Sequence, residues 1–145
     1  EEDHIRAAIH ESGMENRVKL LGRVSDYDHL MLLRVAHLFI QPNIPVKHDI
    51  EGFGIALIEA TAEGLPVVAS RLEGLQEAIA DGQNGVLVEP ENPASFVSAI
   101  DTFLSDESER KRFGAQAKTF TREHYHWEKI SAQYIDILAK ASDLK

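Results

Sequence analysis

The sequence contains no cysteine in its 145 residues. That excludes a disulfide framework, a thiolate metal site and a thiol nucleophile, and it fits a reducing compartment. Basic residues are also short, with 15 Lys and Arg against 24 Asp and Glu and a formal charge of -9. A protein that grips phosphate backbones neutralises them with Lys and Arg, so this balance argues against nucleic-acid binding and against a polybasic membrane patch. Long hydrophobic runs are missing too. The most apolar stretch, "MLLRVAHLFI", is interrupted by Arg34 and His37 and falls far short of the ~20 residues of a membrane span. The opening "EEDHIRAAIHESG" is acidic and helical in pattern, with none of the features of a signal peptide. Aromatics are scarce at 7%, yet the apolar fraction of 43% is ordinary for a folded domain of this length. One cytosolic α/β domain with a real core is the expectation.

The chain alternates helix-like and strand-like segments. Ile5, Ala8 and Ile9 lie at helical spacing, and Gly13 offers a stop, which predicts a helix over roughly residues 2 to 12. "RVKLLGRV" reads as a first strand ended by Gly22. "SDYDHLMLLRVA" reads as a helix that Ser25 or Asp26 caps. "HLFIQP" is a strand closed by Pro42, followed by an irregular loop over 42 to 52. Beyond it come a helix at 54 to 63, strand "PVVAS", a short helix near "LQEAIADG", strand "GVLVEP", and a helix from 93 to 104 with Asn92 and Pro93 as cap and first-turn pair. Helices over about 106 to 123 and 127 to 141 close the chain. Short apolar strands separated by helices imply crossover connections and a parallel sheet covered on both faces.

In open parallel sheets, ligands gather at the carboxyl ends of the strands, where helix N-termini present free amides. "HLFIQP" ends in such a place, and the helix it feeds begins at "GFG". Gly52 and Gly54 permit close backbone approach and unusual dihedrals, so the amides of Phe53, Gly54 and Ile55 are candidates for an anion cradle, with a plain tight turn as the alternative.

Two acids flank this cradle, Glu51 and Glu59. Were both helical, they would stand ~12 Å apart along the axis on the same side. A retaining glycosidase pair needs ~5 to 5.5 Å, so an acid and nucleophile across one bond is disfavoured. Carboxylates so spaced suit the two ends of one long ligand, since each accepts from a pair of neighbouring hydroxyls. Two solvated helix acids are the alternative. The run Ile55, Leu57, Ile58, Ala62 makes the helix look apolar nearly all round and therefore buried, which favours a partnered, functional Glu59.

"EGFGIALIEA", followed by "GLPVVAS", "GLQEAIADGQNGVLVEPENPASF" and "HWEKI", resembles the C-terminal donor-binding domain of retaining glycosyltransferases with the two-lobed GT-B fold, the glycosyl transferases group 1 family. The resemblance spans essentially the whole chain, and its E-x7-E spacing sits in the right context. It implies a Rossmann-like, doubly wound parallel sheet that forms the C-terminal half of a GT-B enzyme. It also implies that residues 1-145 are a partial nucleotide-sugar domain, without the first two strands, the basic Arg/Lys pair that neutralises pyrophosphate, or the N-terminal acceptor domain. In the order 3-2-1-4-5-6 the "VKLLG" strand then loses its neighbours. It should be displaced, re-paired, or paired with another chain, whereas "LFIQ", "PVVAS" and "GVLV" should be adjacent and parallel.

By the same resemblance Glu59 would hold the ribose hydroxyls of a nucleotide sugar, and Glu51 would be the catalytic-site carboxylate at the transferred sugar. The amides of Phe53, Gly54 and Ile55 would meet the pyrophosphate or the sugar, and the backbone at Arg23 and Val24 would lie beside the base. No metal or other cofactor is implied. The partners implied are a nucleotide-sugar donor, an acceptor that is a saccharide, lipid or small molecule, and the missing N-terminal lobe or another chain that supplies strands. The implied location is cytoplasmic, with peripheral attachment at the inner membrane face through the missing lobe left open. The implied reaction is sugar transfer with retention, the fragment alone being inactive. A nucleotide-sugar 2-epimerase and a non-catalytic nucleotide-sugar-binding module are the competing classes.

Other residues draw weaker expectations. His124 and His126 have the spacing of a shared metal on an extended segment, but no third ligand is evident. Trp127 is expected as a packing anchor where the last helix starts. Lys47 is a solvated loop residue or a phosphate contact. His48 and Asp49 line the loop, and Glu77 is placed in the first turn of its helix.

Overall fold

A computed structural model describes residues 2–47 and 52–142. The chain divides into two compact units, Glu1–Leu30 and Met31–Lys145. In the first, α1 (Glu2–Glu11) opens with Glu2 and Asp3 in its first turn, where the helix dipole favours acids. The chain leaves α1 through Gly13, whose φ of 64° is the left-handed conformation that suits glycine. Residues 18–22, expected as a strand, form none: Val18, Leu20 and Leu21 are exposed coil. An isolated extended segment leaves its amides and carbonyls unpaired, so the apolar run alone does not make a strand.

The helix α2 (Asp26–Val35) starts as expected. Ser25 Oγ accepts from the amide of Asp28 at 3.1 Å and donates to its carboxylate at 2.6 Å. The second unit then alternates β1 (Phe39–Gln41), α3 (Ile55–Glu63), β2 (Val67–Ser70), α4 (Glu73–Ala78), β3 (Val86–Val88), α5 (Pro93–Ser105), α6 (Glu107–His124) and α7 (Trp127–Ser142). The three strands are adjacent and parallel in the order β1-β2-β3, with Ile40 opposite Val68 and Val68 opposite Val86. The α/β architecture and the adjacency of these strands are as the alternation predicts.

The period of two along each strand sorts the core into two layers. Phe39, Val67, Ala69 and Leu87 face a cluster with Leu57, Ala60 and Leu75 of α3 and α4. Val68, Val86 and Val88 face Phe96, Phe103, Phe113 and Ala117 of α5 and α6. β2, in the middle, is wholly buried. Asn92 caps α5 by accepting from Ser95 N at 3.2 Å, with Pro93 in the first turn.

Two features anchor α6 to α3. A Cβ on Gly114 would lie 2.2 Å from the backbone oxygen of Gly64, so only glycine lets the helices approach this closely. One level further along, Thr121 Oγ1 donates to Thr61 Oγ1 at 2.8 Å in the interior. Positions rise along α6 as they fall along α3, so the pair is antiparallel. Trp127 starts α7 as expected but is 81% exposed, which is not the burial of a packing anchor. Among the described residues, no helix is long and apolar enough to cross a membrane.

Candidate functional site

The strands end on one rim at Gln41, Ser70 and Val88. Ser70 Oγ donates to the carbonyl of Asn43 at 2.5 Å and ties the loop after β1 to the end of β2. Gln41 Oε1 is buried at this rim with no hydrogen-bond partner among the described residues. Its signal in the sequence is a polar residue that closes an apolar strand just before Pro42, a pattern not among the expectations above.

The helix α3 begins at the same rim. Its N-cap is Gly54 in the left-handed conformation (φ 74°, ψ 48°), and no described side chain caps it. A side chain here would also collide with the floor of the turn, since a Cβ would lie 2.9 Å from Leu75 Cδ2 and 3.1 Å from Leu57 Cδ1. Position 54 therefore requires glycine on both counts, backbone and space. At Gly52, expected to share this requirement, an added Cβ would meet no described atom within 4 Å. An uncapped helix start leaves amides that an anion can take up, and the dipole favours negative charge there.

Phe53 and Ile55 flank the cap and are exposed. Phe53 meets the ring of Tyr125 edge-on, with centroids 5.8 Å apart. Glu59 lies one turn beyond Ile55 on the same exposed face. This corrects the expectation of a helix buried all round: α3 buries Leu57, Ala60 and Thr61 and presents Ile55 and Glu59 outward. No described residue pairs with the Glu59 carboxylate, which is open to a ligand. Glu51, His48 and Asp49 lie outside the described residues. Arg23, exposed, and Val24, half-buried, belong to the first unit. Lys47 is exposed.

Two further expectations are corrected. Glu77 is in the last turn of α4, not the first, and its carbonyl accepts from Tyr125. His124 ends α6, stacks on Phe120 and engages the Phe120 carbonyl, whereas His126 pairs with Glu128. The two histidines therefore do not share an extended segment, and no cluster of three metal-ligating side chains occurs among the described residues.

An ionic clasp lies behind the rim. Arg71 donates to Asp81 at 2.6 Å and to the carbonyl of Leu87 at 3.0 Å, while Asp81 also accepts from Leu87 N at 2.9 Å. Partial burial by itself would raise the Asp81 pKa, but the Leu87 amide and Arg71 outweigh it and hold the carboxyl below the usual aspartate value.

Residues 1–120 match the glycosyl transferases group 1 family. A glycosyltransferase of Methanocaldococcus jannaschii is 31% identical over 98% of this chain and 35% of its own length. A D-inositol 3-phosphate glycosyltransferase of Corynebacterium glutamicum is 32% identical over 90% of this chain and 30% of its own. The chain thus spans about a third of the length of these relatives. Among solved structures, Anabaena HepE in complex with UDP superposes with a TM-score of 0.84 at 26% identity, over 95% of this chain and 36% of that one. The same Anabaena protein is also known in complex with UDP-glucose. The parallel three-stranded α/β unit, its GT-B glycosyltransferase neighbours and a family match across most of the sequence agree: this chain belongs to the glycosyl transferases group 1 family.

Proposed function

We propose that the chain is the donor-binding part of an enzyme that transfers a sugar from a nucleotide sugar to an acceptor with retention of anomeric configuration. The observation that carries this reading is the uncapped start of α3 at the rim of a fold that superposes on a UDP-bound relative. In this reading the amides of Phe53, Gly54 and Ile55 receive the diphosphate or sugar, and Glu59 accepts from the ribose hydroxyls. Glu51 acts at the transferred sugar, and the backbone at Arg23 and Val24 borders the base. No metal and no cofactor beyond the nucleotide-sugar co-substrate enters the scheme. The acceptor is a saccharide, lipid or small molecule, and the cytoplasmic location expected from the sequence belongs to the same proposal.

The remainder of the enzyme completes this scheme. β1 is an edge of the sheet, and its Ile40 points with Val68 and Val86 yet is 42% exposed. Beside it runs an apolar groove of about 360 Å³ lined by Ile40, Ile44, Phe96, Val97 and Ile100. An added strand would pair with this edge and cover the groove. Without an opposing lobe water is not excluded and no acceptor is oriented, so residues 1–145 by themselves should not turn over.

The test uses the full-length protein. UDP, GDP and ADP are titrated calorimetrically, and reaction with the matching nucleotide sugars is followed by NMR of the anomeric proton. A glycoside of unchanged configuration supports the proposal, and an inverted one overturns retention. A donor epimer would instead identify the 2-epimerase, and binding without turnover across acceptor classes would identify a binding module.

A further inference from the structure

Tyr125 occupies the junction of α6 and α7, a place that the donor reading leaves without a role. Its backbone closes α6, the amide donating to Thr121 O at 2.8 Å. Its hydroxyl donates to the carbonyl of Glu77 at 2.8 Å, with the Ala78 carbonyl a second acceptor at 3.3 Å, and so fastens the ring to the end of α4. The ring packs in an edge-type contact with Phe53, the residue before the helix cap. From beneath, Leu75 of α4 fills the space where a Gly54 side chain would lie. The turn Phe53–Gly54 is therefore held from two sides by parts that are themselves tied together. α4 supports it through Leu75, and α6 supports it through Tyr125. The junction has little freedom to move, because the Thr61–Thr121 bond and the Gly64–Gly114 approach lock α6 against α3.

We propose that Tyr125 is a positioning residue for the anion-binding mouth of α3: acting through Phe53, it fixes the backbone whose amides receive the diphosphate of the donor. This deepens the donor reading above and rests on it. Tyr125 acts without touching the ligand. Amides bind an anion well only when they converge on it before it arrives, and a turn flanked by two glycines has little stiffness of its own.

The consequence is selective. Loss of the ring contact should weaken binding of a diphosphate and leave binding of the bare nucleoside alone, because the base and ribose are held elsewhere in the same reading. A general loss of stability would not make that distinction.

The experiment measures dissociation constants of the full-length protein for UDP, GDP and ADP and for the corresponding nucleosides, with thermal melting as the control for folding. Tyr125→Leu removes both ring contact and hydroxyl. It should weaken the bound diphosphate about tenfold, the upper range of one aromatic pair, while the nucleoside constant stays put. Tyr125→Phe keeps the ring and should recover most of that loss. Phe53→Leu should mimic Tyr125→Leu, and the double variant should lose no more than either single one, since both break one contact. If Tyr125→Leu does not fold, Tyr125→Phe, Phe53→Leu and their combination decide the matter by the same diphosphate-to-nucleoside comparison. Equal diphosphate affinity in wild type and folded variants, or parallel loss of nucleoside, overturns the positioning role and leaves the donor reading intact. A wild type that binds none of the three diphosphates overturns both.

Discussion

Thr121 Oγ1 donates to Thr61 Oγ1 at 2.8 Å, and Thr61 Oγ1 in turn donates to the carbonyl of Ile58 at 3.1 Å. The chain of donors has a direction, so its two members are not equivalent. Thr61→Val leaves the buried Thr121 hydroxyl without its acceptor, at a cost of ~1 to 3 kcal/mol. Thr121→Val removes one donor to an oxygen that still has an outlet for its own proton, and should cost less, ~1 kcal/mol. Replacing both with valine keeps the shape and removes both polar groups. The double variant should then be less destabilised than the sum of the singles. Urea unfolding of the four proteins checks the order, and additive effects would contradict the directed pair.

Gly54 and Gly52 make a second comparison. Alanine at 54 must hold a left-handed backbone, costing ~1 to 2 kcal/mol, and must displace Leu75 or Leu57 as well. Gly54→Ala should therefore lower the melting temperature and weaken diphosphate binding together. Gly52→Ala meets no described atom within 4 Å and should melt as wild type. A Gly54→Ala protein with unchanged melting and affinity would remove the cap from the site.

What could be read from the residues alone depended on how local the cause is. β1, β2 and β3 were legible because each is a short apolar run between helices, and α5 was legible because Asn92 and Pro93 sit side by side. Gly54 announces itself in "GFG". Gly114 does not, because what forbids a side chain there is the backbone of Gly64, far away in sequence. Residues 18–22 carry the composition of a strand, but strand formation is decided by a neighbour, which no local pattern reports. The burial of Trp127 and of the Glu59 face of α3 was misjudged for a related reason. Hydrophobic bulk predicts burial only where another element arrives to cover it, and the outer face of α3 stays open, with Ile55 67% exposed.

The Arg71–Asp81 clasp gives stability a definite dependence on pH. The Asp81 carboxyl is held below its ordinary value of 3.8, so the folded state binds its proton less readily than the unfolded chain. Its contribution is thus fully present above the ordinary aspartate range and is lost as pH falls through the lowered folded value. Both side chains are partly exposed, so the ion pair adds no more than ~1 kcal/mol. The gap in unfolding free energy between wild type and Asp81→Asn should stay level from about pH 7 to 5 and shrink below about pH 4. A gap that widens on acidification would mean that burial, not the hydrogen bonds from Leu87 and Arg71, governs this carboxyl.

The last prediction separates the two glutamates of the donor reading. Glu59 stands on the open face of α3, with no described partner, at the second turn from the uncapped Gly54. If it accepts from the ribose hydroxyls, Glu59→Gln in the full-length enzyme keeps the shape and one acceptor oxygen but removes the charge. A charged hydrogen bond contributes ~1.5 to 3 kcal/mol, so nucleoside, nucleoside diphosphate and nucleotide sugar should all bind roughly 10- to 150-fold more weakly. Because Glu59 is already solvated, the substitution should leave the melting temperature where it was, which sets the loss of affinity apart from any loss of fold. Glu51 acts in this reading on the transferred sugar. Glu51→Gln should leave diphosphate affinity nearly unchanged while the rate of transfer falls, as expected for a contact used chiefly in the transition state. Calorimetric titration with the diphosphate beside initial rates with the full donor makes both measurements on the same preparations. Equal loss of diphosphate affinity in the two variants would defeat the split, because a group that serves only the sugar has nothing to hold in the bare diphosphate.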